Sequence, residues 1–120
     1  MLCIDIVDRL LNAGVNVNEK YSIYRCTPLL KLFSFTYSKE YIIPLMERLI
    51  LFGADTNSQD TEGNTVLHYA CTSPFGTKLI ETLLKQGANP TLKDIRGRTA
   101  INMCGDETLK NLMIEKAKEF

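Results

Sequence analysis

The sequence predicts an all-α fold, a solenoid of stacked helix-turn-helix units, on three recurring signals. Apolar doublets stand at fixed offsets upstream of a glycine. A Thr-led helix start recurs along the chain, and Asp-x-x-Gly turns precede two of those starts.

The doublets come first. Ile6-Val7 and Leu10-Leu11 precede Gly14, Leu45-Met46 and Leu49-Ile50 precede Gly53, and Leu79-Ile80 and Leu83-Leu84 precede Gly87. Positions i, i+1, i+4 and i+5 line one face of a helix. The glycine then ends it, because glycine enters the left-handed region without a steric penalty. After each glycine comes a polar, turn-prone segment: GVNVN, GADTN and GANPT. The helix starts are Thr27-Pro28-Leu29, Thr65-Val66-Leu67 and Thr99-Ala100-Ile101, spaced by 38 and 34 residues. A Thr hydroxyl can cap a first-turn amide, and Pro28 lacks the amide that would otherwise be orphaned. Asp60-x-x-Gly63 and Asp94-x-x-Gly97 are tight-turn chemistry. Helices are therefore expected at 2–13, 28–35, 40–52, 66–72, 78–86 and 106–118. Neither helix of a unit can bury its apolar face alone, so neighbouring units must stack.

Composition narrows the function. A chain of 120 residues with 45% hydrophobic side chains suits one small packed domain. Lys plus Arg number 14 and Asp plus Glu also number 14, whereas a nucleic-acid binder needs basic excess to displace counterions. Neither nucleic acid nor a membrane surface is an expected partner. Asp5 and Asp8 stand where a signal peptide would be basic. The most apolar stretch, 41–54, is broken by Pro44, Glu47 and Arg48. Cys3, Cys26, Cys71 and Cys104 form no Cys-x-x-Cys pair, and one His cannot complete a zinc site. No metal, cofactor or small-molecule substrate is expected. Reduced, buried thiols fit the cytoplasm, or the nucleus.

At this point Asp60-Thr61-Glu62-Gly63-Asn64-Thr65-Val66-Leu67-His68-Tyr69-Ala70 resembles the ankyrin signature D-x-x-G-x-T-P-L-H-x-A, with Val for Pro. Leu83-Leu84-Lys85-Gln86-Gly87-Ala88-Asn89 resembles its L-L-x-x-G-A-D, and the spacing is near the family's roughly 33 residues. The resemblance implies an ankyrin-repeat solenoid: a partial repeat at 1–19, then repeats at about 20–58, 59–92 and 93–120. The unit around Thr27 departs, with Ser22 and Arg25 in place of Asp and Gly, so its turn is expected to be distorted. Its Thr-to-Gly interval is 26 residues against 22 from Thr65 to Gly87, which places a protruding loop at 34–41. The last unit has Asn102 for His and no closing glycine, but Asp106 can cap a final helix with Leu109, Leu112, Met113 and Ala117 on one side.

Long inter-helix insertions, irregular turns and Tyr/Asn/Lys/Ile-rich style resemble the ankyrin proteins of poxviruses. The chain opens within a unit, which reads as a truncated member whose Leu2, Cys3 and Ile4 are left uncovered. The C-terminal F-box-like segment common in such proteins does not follow Phe120, so ligase recruitment is not carried over.

No catalytic constellation emerges, so no enzyme is expected. By its place in the signature His68 is a structural hydrogen-bonding residue. Cys71 and Cys104 fall near the alanine positions of the first helix and read as packing residues. Gly63 and Gly97 are too isolated for a phosphate loop. Function then falls on the surface that the resemblance assigns to turn tips. Those residues are Gln59, Thr61, Glu62 and Asn64, then Lys93, Ile95, Arg96 and Arg98, and Ile23, Tyr24 and Cys26 in the irregular unit. The expected function is protein–protein interaction, by a viral ankyrin protein engaging a host factor. The alternative is a truncated remnant with no retained activity.

Overall fold

The computed structural model describes residues 9, 12–20, 25–30, 39–72 and 76–120. Among them stand five helices: α1 (Lys39–Leu51), α2 (Val66–Thr72), α3 (Gly76–Lys85), α4 (Ala100–Met103) and α5 (Glu107–Ala117). Residues 28–30 are helical as well, and no strand occurs among the described residues.

The outer helices end where their glycines dictate. Gly14, Gly53 and Gly87 have φ of 90°, 95° and 91°. At Gly53 the Gly53 N–H donates to the Ile50 carbonyl at 2.9 Å and the Ala54 N–H to the Leu49 carbonyl at 3.0 Å. Gly87 and Ala88 repeat this on Leu84 and Leu83 at 3.2 and 3.0 Å. This crossed pair satisfies carbonyls that a helix end leaves orphaned, and it needs a left-handed residue at its centre.

Packing follows from the faces so defined. α2 packs on α3 within its unit and on α4 of the next, while α3 packs on α5 and α4 on α5. First helices thus form one layer and second helices the other. Leu79, Ile80, Leu83 and Leu84 are all buried, as are Met46 and Leu49 of the earlier doublets. Burying one such side chain stabilises by about 1.5–3 kcal/mol. Ala70 and Ala100, both buried, keep the inner layer thin enough for α2 and α4 to approach. On α5, Asp106 is the N-cap, its Oδ1 accepting from the Thr108 and Leu109 amides at 2.8 and 3.3 Å, and Leu109 and Met113 enter the core.

Two expectations change. α1 begins at Lys39, so residues 39–41 of the expected loop belong to a helix, and 34–38 lie outside the described residues. Pro44 sits inside α1 without ending it: the ring removes one amide donor, while the buried Ile42, Met46 and Leu49 hold both flanks to the core. α4, whose Thr99 start was legible, is a four-residue helix missing from the expected spans. The helix at 2–13 lies mostly outside the described residues, as do its doublets and Leu2, Cys3 and Ile4.

Candidate partner-binding turns

Each Asp-x-x-Gly turn is built by its aspartate. The Asp60 carbonyl accepts from Gly63 N–H at 3.0 Å, and its Oδ1 accepts from the Glu62 and Asn64 amides at 3.0 and 2.9 Å. Asp94 does the same with Gly97 at 3.0 Å and with the Arg96 and Arg98 amides, both at 2.9 Å. The second carboxylate oxygens differ. Asp60 Oδ2 accepts from the Tyr69 hydroxyl, whereas Asp94 Oδ2 takes Arg98 Nε at 2.9 Å and its Nη2 at 2.9 Å. The Arg98 backbone amide, then its guanidinium and the Arg96 amide, outweigh burial and hold the Asp94 carboxyl below its usual range. Burial, reinforced by Asp60, pushes the Tyr69 phenol well above its ordinary value.

Successive turns are then tied together. The Ile95 N–H donates to the Glu62 carbonyl at 2.9 Å. Gly63 is flush with the next turn: a Cβ there would lie 2.8 Å from Asp94 Cα. Gln59 Nε2 reaches the Gly63 carbonyl at 2.8 Å and the Lys93 carbonyl at 3.0 Å, and Lys20 Nζ reaches the Gln59 carbonyl at 3.3 Å. A second ladder runs through the polar segments. Asn18 accepts from Asp55 N–H at 2.7 Å and donates to the Gly53 carbonyl at 2.9 Å. Asn57 repeats this on Asn89 at 2.7 Å and Gly87 at 3.3 Å. In the sequence these segments look like turns only. The missed signal was an Asn four residues after both Gly14 and Gly53.

His68 is 1% exposed and works as a strut. Its Nδ1 accepts from the Thr65 amide at 3.1 Å, which leaves Nε2 to donate to the Arg98 carbonyl at 2.9 Å in the next unit. Asn102, in the same place one unit on, manages only the local half: its Oδ1 accepts from the Thr99 amide at 3.0 Å. Cys71 donates to the Ala100 carbonyl at 3.3 Å, and burial pushes its thiol up to about 12. At that value almost no thiolate exists near neutral pH, so the group is unsuited to attack.

The structure sorts the candidate tip residues. Thr61, Glu62, Lys93, Ile95, Arg96 and Arg98 are exposed, and Ile95 stands out at 72%. Gln59 and Asn64 are half-buried, and Gln59 is engaged in the ladder. Cys26 is 6% exposed and so sits in the core rather than on a tip. The reason is local: Arg25, with φ of 54°, takes the left-handed geometry of the missing glycine, and Cys26 follows it inward toward the buried Thr27. Ile23 and Tyr24 lie outside the described residues, as does most of that turn. No described helix is long and apolar enough to cross a membrane.

Comparison with known proteins agrees with this architecture. The family pattern of ankyrin repeats in three copies matches residues 2–94 and 32–118. The human Ankyrin repeat and SOCS box protein 6 is 32% identical over 97 residues, covering 75% of this chain and 22% of that protein. The Ankyrin repeat and LEM domain-containing protein 1 homolog of Caenorhabditis elegans is 39% identical over 79 residues, covering 66% of this chain and 10% of that protein. The chain thus spans less than a quarter of either relative. The crystal structure of the ankyrin repeat domain of Bcl-3 has the same fold, with a TM-score of 0.76 at 21% identity over 90% of this chain and 45% of that one. The chain belongs to the ankyrin-repeat family, whose repeats are protein–protein interaction modules.

Proposed function

We propose that this chain binds a protein partner through the outer side chains of its stacked turns and performs no catalysis. One observation supports this most: the turns are locked from beneath and bare on top. Asp60, Asp94, His68 and Gln59 spend their polar atoms on the backbone, whereas Thr61, Glu62, Ile95 and Arg96 point to solvent. A preordered surface binds without a large ordering cost. The contact set is Thr61, Glu62, Lys93, Ile95, Arg96 and Arg98, flanked by the half-buried Gln59 and Asn64, on units running over about 20–58, 59–92 and 93–120 after a partial one at 1–19. The Tyr/Asn/Lys/Ile-rich style and the long second unit support a finer reading, that of a viral ankyrin protein engaging a host factor in the host cytoplasm.

Affinity capture from expressing cells tests the proposal, with bound proteins quantified for the parent chain and for the combined Thr61→Ala, Glu62→Ala, Ile95→Ala and Arg96→Ala variant. Reproducible partners of the parent are expected to disappear with the variant and to survive Leu51→Ala, on the exposed outer helix α1. Partners lost on Leu51→Ala alone would move the contact to the outer layer. No reproducible partner at all would favour a remnant without retained activity.

A further inference from the structure

The two well-described turns share one backbone and carry opposite surfaces. Asp60 and Asp94, Gly63 and Gly97, and Thr65 and Thr99 occupy the same places, and both aspartates make the same turn-closing bonds. The four positions set around that frame differ. Gln59 becomes Lys93, Thr61 becomes Ile95, Glu62 becomes Arg96 and Asn64 becomes Arg98. The first set bears one negative charge and the second bears three positive ones, within a chain whose net charge is zero. The fold does not require Lys93, Ile95 or Arg96, whose side chains bond nothing in the framework; only Arg98 serves it, through Asp94.

We infer that the last turn docks an acidic segment of the partner protein, one that also seats the Ile95 side chain. This rests on the protein-binding reading above and names the partner's chemistry. Among the described residues no carboxylate pairs with Lys93 or Arg96, whereas Asp94 is consumed by Arg98 and the backbone. Exposed cations around a 72%-exposed isoleucine form a small amphipathic knob. Arg beside a protruding apolar group is a favoured anchor composition, and the Asp94 bonds fix the backbone beneath it. A nucleic acid or lipid surface fits less well. A nucleic acid would leave Ile95 without a pocket, and a polyanionic strand or an anionic lipid surface spanning the stack would next meet the carboxylate of Glu62, held close by the bond from the Ile95 amide to its carbonyl.

The test is selection from a random peptide display library on the immobilised 120-residue chain, followed by fluorescence anisotropy of the enriched peptides. Enriched peptides are expected to place two or more Asp or Glu beside an apolar residue. Their affinity is expected to fall about tenfold or more in Lys93→Glu/Arg96→Glu, to fall with added salt, and not to weaken in Glu62→Lys. These side chains are exposed and unbonded, and unchanged thermal melts would show that the variants fold. Enriched peptides without acidic residues, or binding indifferent to Lys93→Glu/Arg96→Glu, would overturn the inference while leaving protein binding intact. Failure to enrich any peptide would overturn it too, as would tighter charge-dependent binding of a single-stranded oligonucleotide or of phosphatidylserine vesicles. Cell capture tests the parent reading separately.

Discussion

Alanine at Gly63 and at Gly97 should have unequal consequences, although the two residues have the same conformation. Both have φ of 76°, so alanine meets the same left-handed penalty of about 1–2 kcal/mol at each, and it cancels in the comparison. What differs is the neighbour. At Gly97 the new Cβ meets nothing within 4 Å, whereas at Gly63 it lands 2.8 Å from Asp94 Cα and 3.0 Å from Ile95 N. Regaining an ordinary carbon–carbon separation of ~3.5 Å requires the two turns to part by roughly 0.7 Å. That movement stretches the 2.9 Å bond from the Ile95 amide to the Glu62 carbonyl. Overpacking of this kind costs about 1–3 kcal/mol and a weakened hydrogen bond about 1 kcal/mol. Gly63→Ala should therefore be about 2–4 kcal/mol less stable than Gly97→Ala, or roughly 10 °C in melting temperature for a chain of this size. Urea titration followed by circular dichroism, with calorimetry of both variants, measures the difference. Costs equal within about 0.5 kcal/mol would show that the turns are not flush, and the stacked-turn surface would lose its basis.

His68→Ala should cost about 3 kcal/mol by cavity and lost hydrogen bonds, with His68→Asn intermediate in thermal melts, because Asn102 shows that Asn can serve the local half. An Asn variant no better than Ala would refute the two-armed strut. Asn57→Ala removes two inter-unit bonds and should cost about 1–2 kcal/mol, whereas Thr91→Ala, four residues after Gly87, should stay within about 0.5 kcal/mol; equal costs would dismiss the ladder. For Asp94 the folded-state pKa is lowered, so its stabilisation is present above the unfolded value of about 3.9 and is lost as pH falls below that toward the folded value. Melting from pH 7 to 3 should fall more steeply for the parent than for Asp94→Asn, and parallel curves would contradict the assignment.

Much of this was legible in the sequence for a definite reason. Helix ends rest on local chemistry, so Gly53, Gly87, Thr99 and Asp106 could be assigned from spacing alone. The role of His68 was implied by its place in the ankyrin signature. The inter-unit ladders were not legible because they depend on register. Asn18 looks like any loop asparagine until stacking sets it against Gly53 and Asp55. Gln59 looked like a surface tip residue, and only the position of the Lys93 carbonyl shows that it is a tie. Cys26 misled in the opposite direction. Its place in the repeat suggested a tip residue, whereas it is buried beside Arg25, whose left-handed backbone carries a cost of about 1–2 kcal/mol.

From Thr91 onward, groups that reach into a following unit give way to groups that bond at home. Thr91 replaces the ladder asparagine and bonds Asn89 at 2.6 Å. Asn102 replaces the strut histidine and closes a capping box with Thr99. Arg98 replaces Asn64 and spends its guanidinium on Asp94, where Asp60 instead relies on Tyr69. A turn held by its own side chains tolerates change at Lys93, Ile95 and Arg96, whose side chains bear none of the framework's load. Recognition and stability are separable at those three positions. They are not separable at Arg98, whose charge belongs both to the basic knob and to the Asp94 anchor. A loss of binding in an Arg98 variant would be ambiguous between the two roles, whereas one in Lys93→Glu/Arg96→Glu reports on the surface alone.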